Sequence, residues 1–91
     1  MSTIQTQVGE VNDKYASAIV NIDNGRTVRE YQMFVSRSYV SIATGNAIRL
    51  RTPGKTFHNI SDIGAHYKTD GKALLAVAVE LNNMIHDAEG A

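Results

Sequence analysis

The stretch Tyr15-Ala16-Ser17-Ala18-Ile19-Val20-Asn21-Ile22-Asp23-Asn24-Gly25-Arg26 decides the fold. Ala16, Ala18, Val20 and Ile22 fall on one side of an extended chain, and Ser17, Ile19 and Asn21 on the other. A period of two marks a strand with one buried face. Asp23-Asn24-Gly25 then supplies the turn, because Asn and Gly tolerate the positive φ that a tight hairpin requires. The small alanines leave room for something bulky to pack over the strand. The stretch therefore predicts a β-hairpin lying beneath a covering element.

On the N-terminal side, Ile4, Thr6 and Val8 alternate with Gln5 and Gln7, which predicts a half-buried edge strand, and residues 9–14 turn the chain through Asn12 and Asp13. On the C-terminal side, residues 26–35 form the returning strand. Tyr31, Met33 and Val35 are its core-facing set, since the opposite choice would bury Glu30 and Gln32. Ser36-Arg37-Ser38 turns the chain again. Residues 39–43 and 47–51 then predict a second hairpin around Thr44-Gly45-Asn46, with Val40, Ile42, Ile48 and Leu50 inward and Tyr39, Ser41, Arg49 and Arg51 outward. Thr52-Pro53-Gly54-Lys55 has the central Pro-Gly of a type II turn and ends the sheet portion.

Beyond Phe57 the period changes. Asn59 or Ser61 caps a short helix reaching about Tyr67, which Gly64 weakens, and Asp70 caps a longer one. Over residues 71–89, Leu74, Val77, Ala78, Leu81, Ile85 and Ala88 recur at spacings of three and four. The expected fold is a single α+β domain over residues 1–91. An antiparallel meander of four to five strands (residues 3–51) is covered by a short helix and a long C-terminal helix (71–89).

Composition narrows the function classes. The chain has 91 residues, 43% hydrophobic and 20% charged, with one proline and no cysteine. Disorder is excluded by the apolar content, and thiolate zinc sites, disulfides and cysteine nucleophiles by the missing cysteines. The first residues lack the basic start and apolar run of a secretion signal, and the longest apolar stretch, residues 73–79, is far short of a membrane span. A soluble cytoplasmic protein is expected, with no membrane partner.

The formal net charge is zero, but it is a cancellation. Residues 1–25 carry Lys14 against Glu10, Asp13 and Asp23, a sum of −2. Residues 26–55 carry Arg26, Arg29, Arg37, Arg49, Arg51 and Lys55 against Glu30 alone, a sum of +5. Residues 56–91 carry Lys68 and Lys72 against Asp62, Asp70, Glu80, Asp87 and Glu89, a sum of −3. Arginine's planar fork fits phosphates and carboxylates in bidentate fashion. Placed beside Tyr39 on an outward sheet face, Arg49 and Arg51 would suit a nucleic-acid backbone or an acidic protein groove. The expected partner-binding residues are Arg26, Arg29, Arg37, Tyr39, Arg49, Arg51 and Lys55.

Other motifs assign no chemistry. Gly54-Lys55-Thr56 resembles the end of a phosphate-binding loop, but Arg49 stands where its first glycine is needed. His58, Asp62 and His66 repeat every four residues and would share one face of a continuous helix, a spacing open to a divalent metal. Asn59 and Ser61 favour a later helix start and Gly64 interrupts the rest, so these three read as surface or capping residues. No serine lies in a nucleophile elbow. Asp13, Asp23 and Glu30 can approach one another across strands but have no cleft to serve. No catalytic, metal or cofactor residue is assigned, and an enzyme is not expected.

Taken as a whole, the chain resembles the small phage-encoded anti-CRISPR proteins that act on the type I-F surveillance complex. The resemblance covers the opening Met1-Ser2-Thr3-Ile4-Gln5-Thr6-Gln7, the stretch Asn24-Gly25-Arg26-Thr27-Val28-Arg29-Glu30-Tyr31 and the closing helix at residues 73–85. It implies an inhibitor that works in the bacterial host cytoplasm by stoichiometric binding. Its target would be a multi-subunit, guide-RNA-containing complex, and its effect would be to block target DNA hybridisation. Such inhibitors share size and purpose rather than sequence, so no site residue carries over. RNA-guided effectors hold their heteroduplex in a positively charged channel. The Arg-rich middle would then touch guide RNA phosphates while the acidic ends engage basic subunit surfaces. The same arginine face also suits the alternative of a small nucleic-acid-binding phage accessory module.

Overall fold

A computed structural model of the chain describes residues 3–45 and 54–90. Five strands, β1 (Thr3–Val11), β2 (Tyr15–Asp23), β3 (Val28–Ser36), β4 (Val40–Thr44) and β5 (Lys55–Phe57), form one antiparallel sheet in the order β1-β2-β3-β4-β5. Helices α1 (Ser61–His66) and α2 (Gly71–Gly90) follow, joined by a 3-10 turn at Lys68–Asp70. This is the expected α+β meander.

The deciding hairpin forms with its predicted facing. Ala16, Ala18, Val20 and Ile22 are buried opposite Val35, Met33, Tyr31 and Arg29 of β3, and only Arg29 breaks the apolar run. The turn is wider than a tight hairpin, because β3 begins at Val28 and leaves residues 24–27 as the loop. Side chains replace the missing ladder bonds there. The Asp23 carboxylate accepts the Gly25 N–H at 2.8 Å, and the Asn24 side-chain oxygen accepts the N–H groups of Arg26 and Thr27, both at 2.9 Å. Gly25 has φ +90°, the left-handed backbone that the sequence calls for at this position.

The sheet's last described strand differs from expectation. Lys55–Phe57 pairs with β4, setting Phe57 opposite Val40. The sheet therefore continues past the Pro-Gly turn that was expected to end it. The expected strand at residues 47–51, with Ile48 and Leu50, lies outside the described residues. The edge strand differs too. Every residue of β1 is exposed, Ile4 at 47% and Val8 at 41%, rather than half-buried. The helical layer centres on β2 and reaches β1 no less than β3, yet it leaves every residue of β1 exposed.

One face of α2 closes the core. Leu74, Val77, Ala78, Leu81 and Ile85 are buried with Ile63 of α1 against Val20, Met33, Val35 and Ile42 of the sheet. Apolar area of this kind stabilises by roughly 25 cal/mol per Å² removed from water. The two helices meet at bare backbone, since a Cβ built on Gly71 would lie 2.3 Å from the Gly64 carbonyl oxygen. The close approach requires glycine at position 71, whereas a Cβ at Gly64 would meet only Leu75 at 4.0 Å. Between the helices the chain bends at Lys68, whose φ is +52°. Among the described residues no helix is long and apolar enough to cross a membrane.

Candidate binding surface

With α1 and α2 on one side, the alternation of the strands leaves a second sheet face that, among the described residues, no helix covers. Gln5 and Gln7 of β1, Tyr15, Ser17 and Ile19 of β2, Gln32 and Phe34 of β3, and Ser41 and Ala43 of β4 belong to it by register. Gln7, Gly9, Ser17, Ile19, Gln32, Phe34, Ser41 and Ala43 line an open depression of about 460 Å³ at its centre. Beside the depression the aromatic rings gather in a row. Tyr15 stacks on Phe34 with ring centroids 5.2 Å apart, and Phe34 meets Tyr39 at 6.1 Å. The Ser36 hydroxyl holds the turn that presents Tyr39 by accepting its backbone N–H at 3.2 Å.

Two strand-borne charges of this face, Asp23 and Glu30, stand toward the end away from the rings, whereas the Glu10 carboxylate of β1 reaches the Tyr15 side chain and raises its hydroxyl above the ordinary range. Asp13 lies in the β1–β2 turn, at the opposite end of β2 from Asp23, so the three carboxylates considered above do not gather. The Asn12 side chain orders that turn by accepting the N–H groups of Lys14 at 2.8 Å and Tyr15 at 2.9 Å. The centre of this face is lined by amides, hydroxyls and an aromatic ring. An uncharged centre with an aromatic border is suited to pressing against another macromolecule, because desolvating that centre sacrifices no ionic hydration.

The predicted cationic residues are dispersed. Arg29 is on the helix side of the sheet, where its Nε donates to Asp70 Oδ2 at 2.6 Å and a terminal nitrogen to Oδ1 at 2.7 Å. The Tyr31 hydroxyl donates to the same Asp70 Oδ2 at 2.5 Å. Both Asp70 oxygens are thereby occupied by these donors, and the expected capping role is corrected to a buried ion pair. The hydrogen bonds from Arg29, then that from Tyr31, hold the Asp70 carboxyl below its ordinary range. Burial, with the bond to Asp70 second, pushes the Tyr31 hydroxyl up to about 12.

Arg37 sits in the β3–β4 turn, donating from Nε to the Asp13 carbonyl at 3.1 Å and pairing with Glu89 of α2 at 2.6 Å. That pair holds the Glu89 carboxyl low. His86 is exposed, with Nδ1 at 3.7 Å from Glu89. Arg26 is exposed in the β2–β3 loop, and Lys55 sits at the start of β5 with Nζ 5.6 Å from the Phe57 ring centre. Tyr39 belongs to the face opposite the helices, whereas Arg49 and Arg51 lie outside the described residues. Tyr15 and Phe34, which share this face, are not among the residues expected from the sequence. Their signal was two large rings on the polar side of adjacent strands.

His58, Asp62 and His66 line one open depression with Phe57, and His66 makes an edge contact with the Phe57 ring at 5.6 Å. Asn59 orders the approach to α1 by accepting the Ser61 N–H at 3.1 Å and its hydroxyl at 2.8 Å. Among the described residues no three metal-ligating side chains come together. No protein-family model, curated protein or solved structure matches the chain.

Proposed function

We propose that this protein is an anti-CRISPR inhibitor. It binds the type I-F guide-RNA surveillance complex stoichiometrically in the cytoplasm of the bacterial host and blocks hybridisation of target DNA. The observation that carries the reading is the sheet face opposite the helices, with its uncharged depression and the row Tyr15, Phe34 and Tyr39. Tyrosine and phenylalanine are the rings that dominate protein interfaces, and a helix-backed sheet holds them rigidly before the partner arrives. The whole-chain resemblance supplies the identity of the partner.

In this reading the aromatic row contacts a protein subunit, and Arg26, Lys55, Arg49 and Arg51 are the cations that reach guide RNA phosphates. Arg29 and Arg37 contribute less, since Asp70 and Glu89 already hold their guanidinium groups. The test is the electrophoretic mobility of target DNA on the purified surveillance complex. Inhibitor added at one to a few equivalents abolishes the shift, and undiminished DNA binding would defeat the proposal. The Arg-rich middle of the chain supports a second reading, a phage accessory module that binds nucleic acid directly. That reading requires salt-sensitive binding to bare RNA or DNA, falling by roughly 0.7 log units per phosphate contact per log unit of salt for a single strand. The inhibitor reading requires such binding to be weak.

A further inference from the structure

The outer edge of β1 is the feature that the proposed function leaves unused. An edge strand presents unpaired backbone N–H and C=O groups, and folded proteins usually blunt it with charge, proline, a bulge or short length. The far edge of this sheet follows that rule, because β5 is three residues long and starts with Lys55. β1 does not. From Thr3 to Val8 it carries no charge and no proline, runs in regular register with β2, and is exposed throughout. The irregularity in its pairing comes only between Val8 and Val11.

The same stretch is nearly palindromic. Ile4-Gln5-Thr6-Gln7-Val8 reads amide for amide and apolar for apolar in both directions about Thr6. In an antiparallel pair the two residue numbers at each rung have a constant sum. A two-fold axis at Thr6 therefore sets Thr6 against Thr6, Gln5 against Gln7 of the second copy, and Ile4 against its Val8. Every rung is matched, and no like charges oppose one another. Ile4 and Val8 are apolar yet 47% and 41% exposed, on the helix side of the sheet with Ile22 and Ala18. Ile4 also lines an open cavity with Ala73 and Ala76 of α2. Pairing across the axis brings the two apolar edges together on that side.

We propose that a second copy of this chain pairs with β1, joining two five-stranded sheets into one continuous sheet across a two-fold axis at Thr6. The inference is independent of the partner assigned above. The missing cysteine gives a direct test, since a single introduced cysteine reports without background. Directly opposed residues in an antiparallel pair have Cα atoms about 4.5–5.5 Å apart, within disulfide range. Thr6→Cys cross-links to itself under mild oxidation. Thr3→Cys does not, because six residues of stagger separate the two copies by about 20 Å.

Charge variants read the register in sedimentation experiments. Gln5→Lys with Gln7→Lys opposes like charges at two rungs and weakens the dimer about tenfold or more. Gln5→Lys with Gln7→Glu opposes unlike charges and keeps the dimer. Both variants alter the same exposed positions, and circular dichroism checks that each folds. A wild-type protein that stays monomeric to millimolar concentration would overturn the inference. So would equal cross-linking of Thr3→Cys and Thr6→Cys, or two charge variants that dissociate alike.

Discussion

The Asp70 carboxylate is buried, and a buried carboxylate is stable only where donors replace the water that it has lost. Arg29 and Tyr31 are those donors. Asp70→Ala leaves the Tyr31 hydroxyl and one side of the guanidinium unpaired and should destabilise the fold by about 1–3 kcal/mol, whereas Tyr31→Phe should cost about 1 kcal/mol. Urea titration of the two variants measures both. The same triad sets the pH window of stability. Asp70 is held below its ordinary 3.8, so its contribution is present above about pH 4 and is lost as the pH falls through the depressed value. Tyr31 is raised from 10.0 to about 12, so its contribution is present below pH 10 and is lost as the pH rises toward 12. Thermal midpoints followed by circular dichroism should decline at both ends, and Tyr31→Phe should flatten the alkaline decline.

Gly71 is constrained by contact rather than by φ. Alanine is the better helix former by about 1 kcal/mol, yet a Cβ here would stand 2.3 Å from the Gly64 carbonyl oxygen. Gly71→Ala should therefore destabilise by about 1–3 kcal/mol, as overpacking does, while Gly90→Ala, with nothing within 4 Å, should be neutral or better. The comparison is a pair of urea midpoints. At this scale the sequence is silent for a physical reason. An aspartate just before a helix reads as a cap from local rules, and its true partners stand 41 and 39 positions away. Arg29 likewise reads as a free cation until the fold brings Asp70 to it.

Elements with several periods of pattern are the ones that local sequence specifies. The alternation in β2 and β3 and the three-four spacing in α2 each repeat often enough to settle which face is buried. Leu81 is 1% exposed and its neighbour Glu80 is exposed, so Leu81→Ala should cost about 2–5 kcal/mol and Glu80→Ala less than about 0.5. Chemical denaturation of the two variants distinguishes them. β5 was illegible because three residues hold barely one period, and its single apolar residue, Phe57, follows a strong turn signal. β1 was legible as an edge strand, but its exposure was not. How far α2 reaches across the sheet depends on the packing of the whole helical layer.

At the scale of the whole molecule, a helical layer lies on one side of a five-stranded sheet, and the proposed partner surface is the other side. The charge cancellation read from the sequence becomes partly internal, since Arg29 and Arg37 are held by Asp70 and Glu89. The face opposite the helices carries an uncharged depression bordered by Tyr15, Phe34 and Tyr39. The sequence points to cations as partner-binding residues because charge is visible in a linear string. A row of rings drawn from two strands and a turn is visible only once register is known. The most direct measurement is a mobility-shift titration of target DNA on the surveillance complex, with wild-type protein and with the folded variant Tyr15→Ala/Tyr39→Ala in parallel. Wild-type protein should abolish DNA binding near one equivalent per inhibitor site, and the variant should need about tenfold more or greater, as loss of interface anchors requires. DNA binding unchanged by wild-type protein, or blocked equally by both proteins, would contradict the account.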